Sequence, residues 1–480
     1  MKVRMSIKEL NYINGKWEGD TTEKHSVYNP ATNELIGFVP KNGMSETKKA
    51  INSAYSALEN WSNLTPYERS NYLKKLNELI LYNIDEIALI MTKEMGKPFK
   101  EACNEVKYAA SYIEWFAEEG KRVYGETIPS HQTNKRMQIW KKPIGVVGAI
   151  TPWNFPAAMI TRKLGPALAA GCTVVIKPAL ETPFTAIKLV ELCEEAGIPA
   201  GVVNLVTGAA TEIGEALMTD KRVRKITFTG STEVGKFLMK QAANQMKKLS
   251  LELGGHAPMI ILDDANIDLA VEQVVASKFR NGGQTCICGN RVYVQEGIYD
   301  QFVEKLTIAV ENLKVGNGMD PDVQIGPLIN DKALEKVDFH VRDALSKGAQ
   351  LLTGGKKIDH EAGCFYMPTV LGNVNKDMVV MEEETFGPVA PVQKIKVDEE
   401  AIDLANQTPY GLAAYVFTEN VSRGIRLIEK LDFGIVGWND GGPSAAQAPF
   451  GGMKESGLGR EGGRQGLEEF LEVQYVSIGI

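Results

Sequence analysis

Histidine, cysteine and tryptophan are scarce in this chain, five, six and six among 480 residues, and no long apolar run occurs. Each scarcity excludes something. No stretch approaches the roughly 18 consecutive apolar residues that mark a membrane-spanning helix. The opening MKVRMSIKELNYINGKWEGD carries no apolar segment behind its basic residues, so no secretory leader is expected and the cytoplasm is the default compartment. Cys103, Cys172, Cys193, Cys286, Cys288 and Cys364 are too dispersed for a disulfide framework. His25, His131, His256, His340 and His360 lie far apart, none at a zinc-ligand spacing from a cysteine, which argues against a metal site. Positive charge is not in excess either. The formal net charge is -7, which disfavours nucleic acid and anionic membranes as partners.

What is present is an ordinary globular composition, 44% apolar and 24% charged, in a chain long enough for two or three structural units. Between about Glu46 and Glu118, Leu73, Leu76, Leu79, Ile80, Ile84 and Ile87 recur at helical spacing. From Arg122 to Lys142 the text is polar and extended. Short apolar runs at 145–150, 173–176, 202–206 and 226–229 then read as buried strands, with helices at 182–196 and 210–218 between them. A second series follows, with strands at 258–262 and 292–294 and helices at 265–281 and 298–313. Such alternation predicts α/β architecture with parallel sheets. The β-prone tail Leu471–Val476 suits pairing outside its own unit.

Two strings mimic nucleotide motifs. Gly457-Leu-Gly-Arg-Glu-Gly462 matches G-x-G-x-x-G but lacks the strand and first βαβ unit that such a fingerprint opens. Gly230–Lys236 resembles a P-loop, yet Phe237 stands where a magnesium-binding hydroxyl belongs. The first is set aside as a Rossmann fingerprint and the second as a nucleotide-triphosphatase loop.

Three other strings carry chemistry. In Asn281-Gly-Gly-Gln-Thr-Cys286 the glycines allow a tight turn that presents a thiol and nearby N–H groups, although an isolated cysteine is more often a buried apolar residue. Leu251-Glu252-Leu253-Gly-Gly sets a carboxylate among apolar neighbours, where desolvation raises its pKa towards that of a useful base. Thr151-Pro-Trp-Asn154-Phe-Pro ends a predicted strand and offers Asn154 as a neutral oxyanion donor, or simply as a turn residue.

With these in view, the sequence resembles the aldehyde dehydrogenase superfamily over essentially its whole length. TPWNFP, IKPA, FTGSTEVG, LELGG, GQTC, EETFGP and PFGGMKESGLGREGG occur in the family's order. The resemblance implies two Rossmann-like open-sheet α/β domains and a small β bridging element. The cofactor-binding domain would comprise residues 1–121 and 143–251, the catalytic domain 252–449, and the arm 122–142 and 466–480. It implies Cys286 as nucleophile, Glu252 as base and Asn154 as oxyanion donor. Thr151, Pro152, Trp153, Lys177, Ala179, Leu180, Gly230, Ser231, Glu384 and Phe386 would hold NAD or NADP. A homodimer or homotetramer acting on a small-molecule aldehyde is the implied assembly. Leu180 neither bonds a ribose hydroxyl nor repels a 2′-phosphate, so neither cofactor is expected to be strongly excluded.

Arg162, Arg280 and Ser444, within their local strings, resemble the succinate-semialdehyde dehydrogenase branch, where they would grip the substrate's far carboxylate. A guanidinium fork suits that task. The competing reading makes both arginines solvated helix ends and the enzyme one of broad specificity. Gly283 and Gly289 depart from that branch, which leaves glutarate semialdehyde open. A retired family member with a binding role is a third reading, against which Cys286 and Glu252 both stand. Cys288, two residues from the nucleophile, is a candidate redox partner or a packing residue.

Overall fold

The computed structural model describes residues 7–19, 23–358 and 362–480; His360 and the first six residues of the opening segment lie outside them. The early helical text is four helices, α1 (Met44–Ser62), α2 (Pro66–Tyr82), α3 (Ile84–Met95) and α4 (Phe99–Glu119). Local chemistry sets their ends. Thr65 and Glu68 cap α2 reciprocally ahead of Pro66, and Gly96 stops α3 at φ 90°.

The first sheet has eight strands, in the order Lys16–Glu18, Asn11–Ile13, Val203–Leu205, Thr173–Lys177, Val146–Ile150, Val223–Thr229, Lys248–Glu252 and Gly457–Leu458. Its five inner strands are parallel, and both edges are closed by antiparallel pieces from distant sequence. Helices α5 (Ala158–Ala170), α6 (Pro183–Glu195), α7 (Ala210–Thr219) and α8 (Thr232–Ala242) connect or follow the parallel strands. The sequence reading did not identify α5, because Gly165-Pro166 interrupts its pattern. Pro166 lacks an N–H for the helix ladder, but all thirteen residues of α5 are buried and packing outweighs that loss.

The second sheet has seven strands, ordered Gln350–Thr353, Thr369–Gly372, Val389–Ile395, Gly289–Gln295, Ala257–Ile261, Ala413–Phe417 and Ile435–Trp438, all parallel except the first. Thus α/β architecture with parallel-rich sheets holds. The helix expected over 265–281 is shorter. As α9 (Ile267–Lys278) it stops where Asn281 and Gly282 take left-handed backbone, φ 53° and 61°. Leu471–Gly479 pairs antiparallel with Lys135–Pro143 through nine registered residues, forming with Glu126–Ile128 a separate three-stranded sheet. Among the described residues no helix is long and apolar enough to cross a membrane.

Candidate active site

In the first sheet the chain winds outward from Val146–Ile150 to 173–177 and 203–205, then reverses to 223–229 and 248–252. Such a reversal leaves a crevice at the carboxyl ends of the strands. Thr151–Pro156, Lys177–Leu180, Gly230–Ser231 and Glu252–Gly255 all follow those ends. A cavity of about 300 Å³ opens there, and its wall includes Pro152, Trp153, Asn154, Gly230, Ser231, Cys286, Glu384 and Phe386. Eight of the residues singled out in sequence therefore share one wall. Leu253 and Thr385, from the LELGG and EETFGP strings, join them, as do Ala333 and Lys336, which carried no sequence signal.

The outer wall suits a dinucleotide. Trp153 and Phe386 meet edge to face at 5.6 Å, with Phe386 held at φ 55°. Ser231 caps α8 by accepting the Val234 N–H at 3.4 Å, so the positive end of that helix faces the crevice. Glu384 accepts the Gly255 N–H at 3.1 Å, while Lys336 donates to its backbone carbonyl at 2.6 Å. Burial pushes the Glu384 carboxyl up to about 7, against the Gly255 N–H and Lys336. Thr151, Lys177, Ala179 and Leu180 sit at neighbouring strand ends but outside the cavity wall. The buried Lys177 ammonium donates to the Pro178 carbonyl at 2.9 Å, and burial lowers its pKa, as for a cation short of polar partners. A cation, a helix N-terminus and an aromatic edge along one crevice fit a nicotinamide dinucleotide.

Cys286 stands half-buried in the cavity wall. A Cβ on Gly255 would lie 2.3 Å from the Cys286 carbonyl oxygen, so only glycine lets that strand end approach the cysteine loop. Burial pushes the Cys286 thiol up to about 12, with Glu384 and Glu252 adding and Arg162 opposing. Asn154 donates from Nδ2 to the Gln284 carbonyl at 3.1 Å, which leaves one further N–H on that amide.

Glu252 ends its strand, 3% exposed, and its Oε2 is buried without a hydrogen-bond partner. Burial, then the charge of Glu461, hold its carboxyl well above the usual range, while Arg162 and Lys163 pull it down. Against burial, Lys163 and Arg162 keep Glu461 below that range. Glu461 therefore belongs to the site, and it lies inside the Gly457–Gly462 string that mimicked a dinucleotide fingerprint. That string forms an edge strand at Gly457–Leu458 and then delivers this carboxylate.

Arg162 is 2% exposed in the middle of α5, which removes the solvated-helix-end reading for it. Its Nε lies 2.9 Å from Glu461 Oε2, its guanidinium lies over the Phe450 ring at 3.8 Å, and its Nη2 is buried without an acceptor. Arg280 is half-buried and stacks over Phe155 at 5.0 Å. Ser444 is half-buried in the loop after Ile435–Trp438. None of these three lines the cavity described above. Cys288 is buried, its sulfur 3.5 Å from Lys278 Nζ and 3.4 Å from the Gly283 carbonyl; all six cysteines are free thiols. Gly283 has no room for a side chain, and at Gly289 one would require Met259 to move. Their Cβ atoms would fall 2.1 Å from the Gly387 carbonyl and from the Met259 sulfur.

The sequence matches the family model described as aldehyde dehydrogenase family over residues 17–476. It is 53% identical to a glutarate-semialdehyde dehydrogenase of Pseudomonas putida, with 100% of both chains covered. It is 54% identical to an NADP(+) succinate-semialdehyde dehydrogenase of Escherichia coli, covering 99% of this chain and 98% of that one. The crystal structure of a succinate-semialdehyde dehydrogenase from Burkholderia pseudomallei superposes with TM-score 0.98 at 50% identity, covering both chains fully.

Proposed function

Because the chain belongs to the aldehyde dehydrogenase family, we propose that it oxidises an ω-carboxy aldehyde, succinate or glutarate semialdehyde, to the dicarboxylic acid with NAD or NADP. The observation that carries this reading is Cys286 and Asn154 in one wall with Trp153, Ser231, Glu384 and Phe386. Segments 1–121 and 143–251 form the cofactor-binding domain, 252–449 the catalytic domain, and 122–142 with 466–480 the arm, a reading that the three-stranded sheet supports.

The Cys286 sulfur, once deprotonated, attacks the aldehyde carbon and forms a C–S bond. The resulting oxyanion takes N–H donors from Asn154 and the Cys286 backbone. A nicotinamide dinucleotide, which Trp153, Ser231, Glu384 and Phe386 would hold, would supply the hydride acceptor when bound. Loss of hydride from the same carbon leaves a thioester on Cys286. Glu252, a stronger base than an ordinary carboxylate because burial and Glu461 raise its pKa, takes a proton from water, whose oxygen attacks the thioester. The C–S bond breaks, the acid leaves and the thiolate returns. Arg162 and Arg280, with Ser444, bind the distal carboxylate. The buried and unpartnered Nη2 of Arg162 is the donor best placed in chemistry to do so.

Steady-state reduction of NAD and NADP over succinate semialdehyde, glutarate semialdehyde and butanal tests the reading. Higher kcat/KM for the two carboxy aldehydes is the expected result, and equal values for all three would make the enzyme one of broad specificity. We also assign a homodimer or homotetramer. Leu471–Gly479 is the outer strand of its sheet and exposes Val473, Tyr475 and Ile478, an edge suited to a second copy. A monomer in sedimentation at micromolar concentration would refute this.

A further inference from the structure

Behind the cysteine loop, hydrogen bonds converge on two backbone carbonyls. The Asn154 carbonyl accepts from Lys97 Nζ at 2.9 Å and from Asn281 Nδ2 at 2.9 Å. The Gln284 carbonyl accepts from Asn154 Nδ2 at 3.1 Å and from Asn281 Nδ2 at 3.2 Å. One side-chain amide, that of Asn281, thus joins the backbone of the Asn154 turn to the backbone two residues before Cys286. Asn281 is itself fixed from several directions. Its N–H donates to Glu101 Oε2 at 3.1 Å, and its carbonyl accepts from Gln284 N and Nε2, both at 3.1 Å. It is buried at φ 53° and ψ 32°, the left-handed region that asparagine tolerates better than most residues.

We propose that Asn281 is a positioning residue that sets the distance and angle between the two oxyanion donors, the Asn154 amide and the Cys286 N–H. The proposal rests on the acyl chemistry assigned above. Two other contacts join the turn to the loop, the Asn154 amide on the Gln284 carbonyl and Arg280 over the Phe155 ring, but neither fixes the backbone of the turn by a hydrogen bond. Lys97 fixes the turn from α4's side, paired with Glu105, whose Oε1 accepts the Ala157 and Ala158 N–H groups at 3.0 and 3.2 Å. That brace holds the turn to its own helix. Asn281 is the side chain that ties the turn's backbone, at the Asn154 carbonyl, to the loop of the nucleophile. Donor pairs of this kind must be kept within about 0.5 Å of the productive geometry, and a misplacement near 1 Å costs on the order of 100-fold in rate.

Asn281→Gly is the test variant. Glycine adopts the same left-handed backbone without strain and keeps the bonds made by the residue's own N–H and carbonyl. Only the bridging amide is lost. The burst rate of reduced cofactor formation with succinate semialdehyde should fall roughly 10- to 100-fold. Cofactor Kd and melting temperature should stay close to the parent's. In an Asn154→Ala background the same change should cost less than about threefold, because the donor it aligns is already gone. Asn281→Asp, which keeps the shape and turns the donor into an acceptor, should lose at least as much, and it carries the same comparison if the glycine variant does not fold. A burst rate within twofold of the parent, or an equal loss with and without Asn154, overturns the proposal. A parent enzyme silent with every semialdehyde would instead overturn the reading on which the proposal stands.

Discussion

The cleft wall formed by Trp153, Ser231, Glu384 and Phe386 and the buried ground around Glu252 are built on opposite terms. The wall is assembled from strand ends and one helix N-terminus, and it uses backbone N–H groups, an aromatic pair and a single carboxylate. The ground behind it packs two carboxylates and two cations, Glu252, Glu461, Arg162 and Lys163, each at most 4% exposed. A wall built mainly of dipoles, with Glu384 and Lys336 beside each other, tolerates ligand exchange because little buried charge loses its partner when the ligand leaves. A closed set of four charges tolerates little, because burial shifts each pKa first and the charges of its neighbours in the set then shift it further. The comparison teaches a division of labour: the wall tunes binding, and the charged ground tunes the base.

The harshest way to break the comparison is Glu252→Gln. Hydride transfer needs the thiolate and Asn154, whereas thioester hydrolysis needs the base. The variant should release about one equivalent of reduced cofactor per site and then stall, with steady-state turnover down roughly 10²- to 10⁴-fold. Unchanged turnover would move the base elsewhere.

Next in size is Glu461→Gln, which strands two buried cations and should lower stability by about 3–5 kcal/mol, read as a lower Tm. Its kinetic mark has a definite sign. Glu461 raises the Glu252 pKa, and the base works deprotonated, so losing that negative charge should shift the acid limb of the hydrolysis profile to lower pH. A shift to higher pH would show that Glu461 acts on Glu252 by another route.

Arg280→Ala should lower kcat/KM for succinate semialdehyde by roughly 10- to 150-fold, the worth of one charged hydrogen-bonding contact, and leave butanal oxidation nearly unchanged. Arg162→Ala is the less clean variant because it also releases Glu461. Ser444→Ala should show the Arg280 pattern at smaller amplitude. Equal losses for both aldehydes would assign these residues to the fold or the cofactor instead.

The mildest probe addresses the wall. Glu384 must be ionised to accept from ribose hydroxyls, and its carboxyl sits near pH 7 in the free enzyme. Cofactor Kd should therefore fall as pH rises through about 7, by up to about tenfold per pH unit on the acid side, and Glu384→Gln should flatten that dependence. A flat profile in the parent would detach Glu384 from the cofactor.

The same two regions differ in how far they can be read from consecutive residues. Six of the parallel strands, the helices from 46 to 118 and the wall strings were legible because each is local, whereas Lys248–Glu252 and the parallel strands after residue 360 were not read. Strand propensity, helical period and a strand-to-turn transition are written within a few consecutive residues. Cys286, Asn154 and Glu252 could be singled out for the same reason. Glu461 could not, for its ion-pair partner Lys163 lies 298 residues away and its own string mimicked another motif. Arg162 was legible as a charge, but whether it faced water or the core depended on α5 being buried on every side. The bridge from Asn281 to Asn154 spans 127 residues and depends on a left-handed turn ending α9 where helical pattern would have continued. Pattern reports a residue's local conformation. The pKa of a buried carboxylate and the alignment of two donors are set by neighbours through space, and those neighbours exist only once the sheets have closed.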